Sequence, residues 1–143
     1  MTETAAGFFI EDLKLGQEAS FSKTIEDGDI RSFAGLSGDN NPVHLDENYA
    51  AATRFKARIA HGMLTASLIS AVIGTQLPGP GAIYLSQTLR FKAPVYVGAL
   101  VRAVVSVAEI NLEKKRVRLN CRCEVDGKAV IEGEAEILVP SRN

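Results

Sequence analysis

The sequence lacks the features that mark membrane-spanning, secreted and nucleic-acid-binding proteins. No apolar run reaches the roughly 18–20 residues needed to span a bilayer. There are only two cysteines, Cys121 and Cys123. They would share one face of a strand, too close together for a disulfide framework, and without neighbouring His or Asp they make a poor metal site. The formal net charge is −1, which gives no basic field to attract nucleic acid or an anionic membrane. We therefore expect no nucleic acid or membrane partner, and we expect both thiols to pack rather than react.

What is present is the composition of an ordinary globular protein. The 143 residues are 46% hydrophobic and 23% charged, which is close to average and enough for a sizeable core. This length fits one domain spanning residues 1–143. Residues 1–7 carry Glu3 and no basic segment of the kind that begins a signal peptide. The expected location is therefore cytoplasmic.

The first half of the chain is predicted to be mostly helical. Residues 8–23 mix apolar and polar types and favour an opening strand with turns. Thr24 and Asp27 have capping-box spacing ahead of a short helix that Gly35 and Gly38 would end. Asp46 can cap a second short helix. Residues 62–76 form the most apolar helix, and because apolar residues cover nearly its whole circumference, we expect it to be buried all round.

The second half of the chain is predicted to be strands. Residues 83–91, 100–110, 116–125 and 129–139 alternate or are rich in valine. Asp126-Gly127 is a typical two-residue hairpin turn between the last two. Consecutive strands with short connections favour an antiparallel sheet. The predicted class is α+β, with a curved antiparallel sheet of about five strands around one long helix.

Asp39 and His44 are the first candidates for chemistry. They lie five residues apart across the turn Asn40-Asn41-Pro42, which can bring a carboxylate and an imidazole to one small space. Such a pair can hold a water molecule between a base and an acid, and histidine titrates near neutral pH without help. Since Asp and Asn are also common turn residues, the spacing alone favours the simpler interpretation, in which Asp39 is a turn residue and His44 a hydrogen-bonded polar group.

Gly62 and Ser67 are the second pair of candidates, at the start of the long helix. His61, the only other histidine, precedes Gly62. The first N–H groups of a helix are unpaired and carry partial positive charge, and glycine permits close approach of a ligand oxygen. A thioester carbonyl becoming an enolate would be stabilised there. Taken alone, Gly62 is better explained as a plain helix start and Ser67 as a small packing residue.

Three segments together resemble one known family. Residues 38–46 (GDNNPVHLD) are similar to the signature of the MaoC-like R-specific enoyl-CoA hydratases. Residues 61–68 (HGMLTASL) resemble the second motif of that family, and residues 89–98 (LRFKAPVYVG) resemble the strand motif that follows its central helix. The similarity extends through nearly the whole chain, and it overturns the simpler interpretations of the single residues.

The resemblance implies a fold and a reaction. The fold is the hot-dog fold, and the reaction is reversible addition of water to trans-2-enoyl-CoA, giving (R)-3-hydroxyacyl-CoA. Asp39 and His44 match the catalytic pair, Gly62 matches the glycine whose N–H faces the thioester oxygen, and Ser67 matches a serine close to the pair. No metal and no redox cofactor are implied; coenzyme A is part of the substrate. We favour His44 as the base and Asp39 as the proton donor, although the sequence does not decide the assignment of a coupled pair.

Two departures from the family pattern affect loop shape rather than the reaction. Ala99 stands where an acidic residue often follows the glycine, and Arg58 stands where a proline is common. Candidates for the coenzyme A phosphates are five basic residues, Arg54, Lys56, Arg58, Arg90 and Lys92, although most surface Lys and Arg are simply solvated.

Several alternatives share the expected fold. The alternative that is hardest to distinguish from a CoA hydratase is a dehydratase of (R)-3-hydroxyacyl groups on acyl carrier protein. For the hydratase itself, we favour a short- to medium-chain substrate in fatty acid or polyhydroxyalkanoate metabolism. A hot-dog acyl-CoA thioesterase would have no special need for the Asp39–His44 turn. An acyl-CoA-binding sensor would usually add a basic DNA-binding segment. We also expect a homodimer, since an open sheet leaves edge strands to be covered and one small sheet cannot cover the whole long helix.

Overall fold

The computed structural model describes residues 6–143. The expectation of no signal peptide rested on residues 1–7, and most of that segment, residues 1–5, lies outside the described residues. A 3-10 turn at Ile10–Asp12 precedes strand β1 (Glu18–Thr24). The predicted opening strand therefore begins about ten residues later than expected. No helix among the described residues is long and apolar enough to cross a membrane.

Four helices follow β1, and their ends show why the chain folds this way locally. They are α1 (Asp27–Ser37), α2 (Pro42–Leu45), α3 (Glu47–Ala51) and α4 (Gly62–Thr75). The cap of α1 is Glu26, with Asp29 completing a capping box; the predicted cap at Thr24 was two residues early. Gly38 ends α1 at a φ of 81°, a left-handed conformation that glycine adopts without strain. Asp46 caps α3 as predicted, accepting from the Tyr49 N–H.

The sheet is antiparallel and has six strands. After β1 come β2 (Ile83–Gln87), β3 (Arg90–Phe91), β4 (Leu100–Asn111), β5 (Arg116–Val125) and β6 (Lys128–Leu138). The order is β1-β4-β5-β6-β2, with the short β3 also paired to β6. The strand predicted over residues 83–91 is thus two strands, separated by Thr88 and Leu89. The hairpin turn is confirmed, since Asp126 and Gly127 both have positive φ.

Helix α4 lies against the sheet and forms much of the core with it. It packs on β1, β4 and β5, and its buried residues are Thr65, Ala66, Leu68, Ile69, Val72 and Ile73. All of these except Thr65 face the buried valines and isoleucines of the sheet in one hydrophobic cluster. A long helix against an antiparallel sheet is the predicted α+β hot-dog arrangement.

In the single chain α4 is buried on one side only, and its burial all round stays a prediction for the expected dimer. Met63 is 57% exposed, and Ser67 and Ser70 are also exposed. One small sheet covers only one side of the helix, so the opposite side of α4 remains open. The two cysteines are free and buried in β5, as expected of packing residues. Burial raises the pKa of Cys121 to about 11 and that of Cys123 to about 12, which keeps both as unreactive thiols near neutral pH.

Candidate active site

A cavity of about 520 Å³ lies where the start of α4 meets the segment of residues 38–46, which we call the catalytic segment. Asp39, His44 and Gly62 all line it. Apolar and aromatic residues supply much of the remaining wall, among them Phe55, Met63, Phe91, Val95 and Ile131. A largely apolar cleft with a few convergent polar groups is the usual form of a small-molecule site.

Local hydrogen bonds hold the catalytic segment in a tight fold. The Asp39 N–H donates to Ser37 Oγ (3.1 Å), and the Asn41 N–H donates to Asp39 Oδ1 (3.2 Å). The Asn41 side chain in turn accepts from the Val43 N–H and caps α2. Pro42 is the first residue of α2, where its missing N–H costs nothing. These turn residues place Asp39 just before α2 and His44 within it.

His44 is buried and has one defined ring nitrogen. It is 8% exposed, and its Nδ1 lies 2.7 Å from the carbonyl oxygen of Ile59. Because a carbonyl only accepts, Nδ1 must carry the proton, which leaves Nε2 with its lone pair. Burial lowers the pKa of His44 below its ordinary value; the Ile59 hydrogen bond and Asp39 oppose this, and His61 adds to it. A neutral imidazole with a free Nε2 is suited to accept a proton.

Asp39, His44 and His61 converge at one point. One ligand-type atom from each side chain lies within 4.8 Å of the others, so the predicted pair faces one small space together with His61. Asp39 is exposed in the single chain, whereas both histidines are buried. Two imidazoles and a carboxylate are also a donor set that could hold a divalent metal ion. The expectation that the protein needs no metal stays a prediction.

Gly62 lies where the sequence placed it, at the first position of α4. The structure adds a reason for glycine at this position, since a Cβ here would come within 2.6 Å of the Phe91 ring. The close fit between α4 and β3 therefore excludes a side chain. The N–H groups of Leu64 and Thr65 donate to the His61 carbonyl, which leaves those of Gly62 and Met63 as the first groups of α4 at the cavity wall. They can serve as an oxyanion site.

Ser67 is not brought into the cavity of the single chain. Its side chain is exposed, and its Oγ donates to the Leu64 carbonyl at 2.6 Å. It lies on the open side of α4, one turn after Met63, and unlike Met63 it is not among the residues that line the cavity. The role predicted for Ser67 beside the pair therefore stays a prediction, and it would require the hydroxyl to turn or a second chain to cover this side.

The sequence assigned no role at the site to His61 or Thr65, and it placed Arg58 only among the candidates for the coenzyme A phosphates. His61 Nε2 lies 2.9 Å from the Asp39 carbonyl oxygen. The buried Arg58 donates through Nε to the His44 carbonyl at 2.7 Å. Thr65, 1% exposed, lines the cavity, and its hydroxyl has no hydrogen-bond partner among residues 6–143. The one available signal was that His61 begins the second motif.

The basic candidates divide into two groups. Arg54 and Lys92 line the cavity. Arg58 instead pairs with Asp27 of α1 and is buried, so it is not available to a phosphate. Lys56 and Arg90 are not among the residues that line this cavity.

The chain is similar in sequence and in structure to proteins of known activity. The model of the MaoC like domain family matches residues 12–130. The chain is 58% identical over 134 residues to an (R)-specific enoyl-CoA hydratase of Rhodospirillum rubrum, covering 94% of this chain and 93% of that protein. It is 45% identical over 131 residues to an (R)-specific enoyl-CoA hydratase of Aeromonas caviae, covering 91% and 98%. The unliganded R-hydratase structure from Pseudomonas aeruginosa superposes with a TM-score of 0.89 at 50% identity, covering 95% of this chain and 88% of that one.

Proposed function

The chain belongs to the MaoC-like dehydratase family, and from that membership we propose that it is an R-specific enoyl-CoA hydratase. It is a hydro-lyase that adds water reversibly to a trans-2-enoyl-CoA and forms the (R)-3-hydroxyacyl-CoA. The observation that carries the proposal is the convergence of Asp39 and His44 within 4.8 Å in a cavity that also contains the first turn of α4.

The geometry supports a division of roles at the site. The thioester carbonyl would accept from the N–H of Gly62, which stabilises negative charge as the enolate develops. Water held between Asp39 and His44 would lose a proton to His44 Nε2 and attack C3. The Nδ1–Ile59 hydrogen bond fixes this tautomer, and the lowered pKa of His44 keeps the ring neutral before the reaction. Asp39, in its carboxylic acid form at the start of the cycle, would then deliver its proton to C2, and the proton on His44 would return to Asp39 to restore the pair.

We propose coenzyme A rather than acyl carrier protein as the carrier. Three similar proteins named for CoA substrates are 45–58% identical to the chain. A dehydratase of 3-hydroxyacyl groups on acyl carrier protein from Solanum lycopersicum is 39% identical. Arg54 and Lys92 at the cavity would meet the phosphates. Lys92 already pairs with Glu132 at 3.4 Å, but an exposed pair of this kind is weak and can exchange partners.

The cavity and the similar proteins also support a proposal for the acyl-chain length and the metabolism in which the reaction takes place. A short- to medium-chain acyl group fits a cavity of about 520 Å³. We propose in addition that the reaction takes place in the cytoplasm. An Aeromonas caviae R-hydratase whose structure is 44% identical in sequence is involved in polyhydroxyalkanoate biosynthesis. We place the present protein in that metabolism or in fatty acid metabolism.

A homodimer would complete the site. Strand β2 is at one edge of the sheet, and Ile83, Tyr84 and Leu85 on it are 40–55% exposed. An unpaired apolar edge of this kind favours association. The open side of α4, with Met63 and Ser67, is a second surface for the other copy to cover. Since Met63 also lines the cavity, the partner would lie beside the acyl site.

The test is a spectrophotometric assay of the purified protein with crotonyl-CoA. The absorbance of the conjugated enoyl thioester should decrease as water adds, with the same rate before and after treatment with a chelator. Asp39→Asn, which keeps the shape of the side chain, is the matched control and should abolish most of the decrease. Loss of activity on chelation, or no hydration at all, would contradict the proposal.

A further inference from the structure

Residues 58–61, the segment immediately before α4, contact the catalytic segment at four points. Arg58 Nε donates to the His44 carbonyl, and the Ile59 carbonyl accepts from His44 Nδ1, each at 2.7 Å. The Ile59 N–H donates to the Val43 carbonyl at 3.4 Å. His61 Nε2 approaches the Asp39 carbonyl oxygen at 2.9 Å. Of these contacts, the one made by His61 is the only one directed to Asp39.

The hydrogen bond of His61 has one direction. A backbone carbonyl has no proton to give, so His61 Nε2 carries the proton and donates it. His61 is 2% exposed, whereas the hydrogen bond as a whole is part-buried. Asp39 is exposed and lies between the end of α1 and the start of α2. His61 therefore connects the carbonyl of an exposed loop residue to the buried interior.

The ring of His61 is itself held in place. Its centroid lies 3.9 Å from that of His44 and 4.8 Å from that of Phe33. The next residue is Gly62, whose backbone begins α4 and the oxyanion site. The His61 side chain thus contacts the backbone of Asp39, the proton donor, and the ring of His44, the base. Its backbone is joined directly to Gly62, whose N–H is the oxyanion donor. The hydration steps proposed above need these three groups in fixed relation, since small misplacements are costly in rate.

We propose that His61 is a positioning residue for the hydratase reaction, acting through the backbone of Asp39 rather than on the substrate. This inference rests on the proposed function. The Nε2–H donor of His61, and not only the bulk of the ring, is required to hold the Asp39 carboxylate at working distance from His44.

Two substitutions of equal length separate the donor from the bulk. His61→Gln places an amide N–H near the position of Nε2 and can still donate to the Asp39 carbonyl. His61→Met has similar length, is apolar and cannot donate. With crotonyl-CoA, His61→Met should lower kcat roughly 10–100-fold with KM changed less than about threefold, whereas His61→Gln should stay within about threefold of the unmodified enzyme in kcat.

A second measurement identifies the route through Asp39. Adding His61→Met to Asp39→Asn should cost little further rate, because the carboxylate that His61 positions is already gone. Thermal melts of each variant show the folded fraction to which the rates are normalised. Equal kcat for the Met and Gln variants would overturn the inference, as would the same penalty for His61→Met in both backgrounds. If the unmodified enzyme did not hydrate crotonyl-CoA, the proposed function would fail instead.

Discussion

At the scale of single residues, the site is held together by one local turn and by contacts between residues that are far apart in the chain. Asp39 and His44 are five residues apart, so a local turn brings them together and the sequence could predict it. His61 reaches Asp39 across 22 residues and Arg58 reaches His44 across 14. Such contacts depend on how helices pack, which periodicity does not reveal. Ser67 was predicted from a motif, but helical geometry turns it to the open side of α4.

Removing either member of the pair should remove most of the activity. Asp39→Asn and His44→Ala should each lower kcat by roughly 10²–10⁴-fold, the usual worth of a positioned acid or base. Ser67→Ala should cost less, because its hydroxyl is bonded to Leu64 rather than aimed into the cavity. Steady-state kinetics with melts as the folding control check this. Changes below about tenfold in both pair variants would place the chemistry on other residues.

The acid side of the pH profile should reflect the neutral state of His44. Burial lowers its pKa below the ordinary value of 6.5, so the ring stays neutral until the pH falls through that lower pKa, and activity is lost only there. The midpoint of the acid limb of kcat/KM should therefore lie below pH 6.5. Circular dichroism over the same range is the control for unfolding. A midpoint above 6.5 in folded protein would show that the required form is not the buried neutral imidazole.

Secondary-structure elements were predicted best where periodicity extends over many residues. Strand β5 has the predicted ends, Arg116–Val125, because its inward positions alternate with outward ones. The cap of α1 was misplaced by two residues since Thr24, Glu26 and Asp29 all suit a helix start. Periodicity could not show which side of the apolar α4 is covered. It also could not show that Arg58 joins α1 to α2.

The bridge between α1 and α2 should influence the rate. Arg58 contacts both Asp27 and the His44 carbonyl, so Arg58→Met should release His44 and lower kcat roughly 3–30-fold, with a lower melting temperature. Arg31→Ala is the matched control, because Arg31 pairs with the same Asp27 carboxylate but is on the surface. Its kcat should be unchanged. If both variants behaved alike, the contact to His44 would have no part in positioning.

At the scale of the whole molecule, the fold class and the architecture followed from the order of elements. The antiparallel sheet and the long helix were predicted, while the two-residue β3 was not, because so short a strand has no period. Edge strands and an incompletely covered helix were also anticipated in general terms. Which edge is apolar became clear only from the sheet order, which places β2 at the end.

The proposed dimer makes β2 sensitive to charge. Ile83 is 55% exposed on that edge strand, so Ile83→Lys should shift the protein towards monomer by placing a solvated charge in the interface. Leu15→Lys is the matched control, since Leu15 is 70% exposed beside the opposite edge of the sheet. Sedimentation velocity at micromolar protein distinguishes them. A fully active monomer before any substitution would contradict the dimer and leave the open side of α4 unexplained.

The stereochemistry of hydration tests the central claim most directly. The claim is that Asp39, His44 and the first turn of α4 surround the enoyl group so that water reaches C3 from one face only. Crotonyl-CoA should be hydrated by the purified protein, and chiral analysis of the hydrolysed product should give (R)-3-hydroxybutyrate. Formation of the S alcohol, or of a racemic mixture, would contradict the assignment of this site to R-specific hydration.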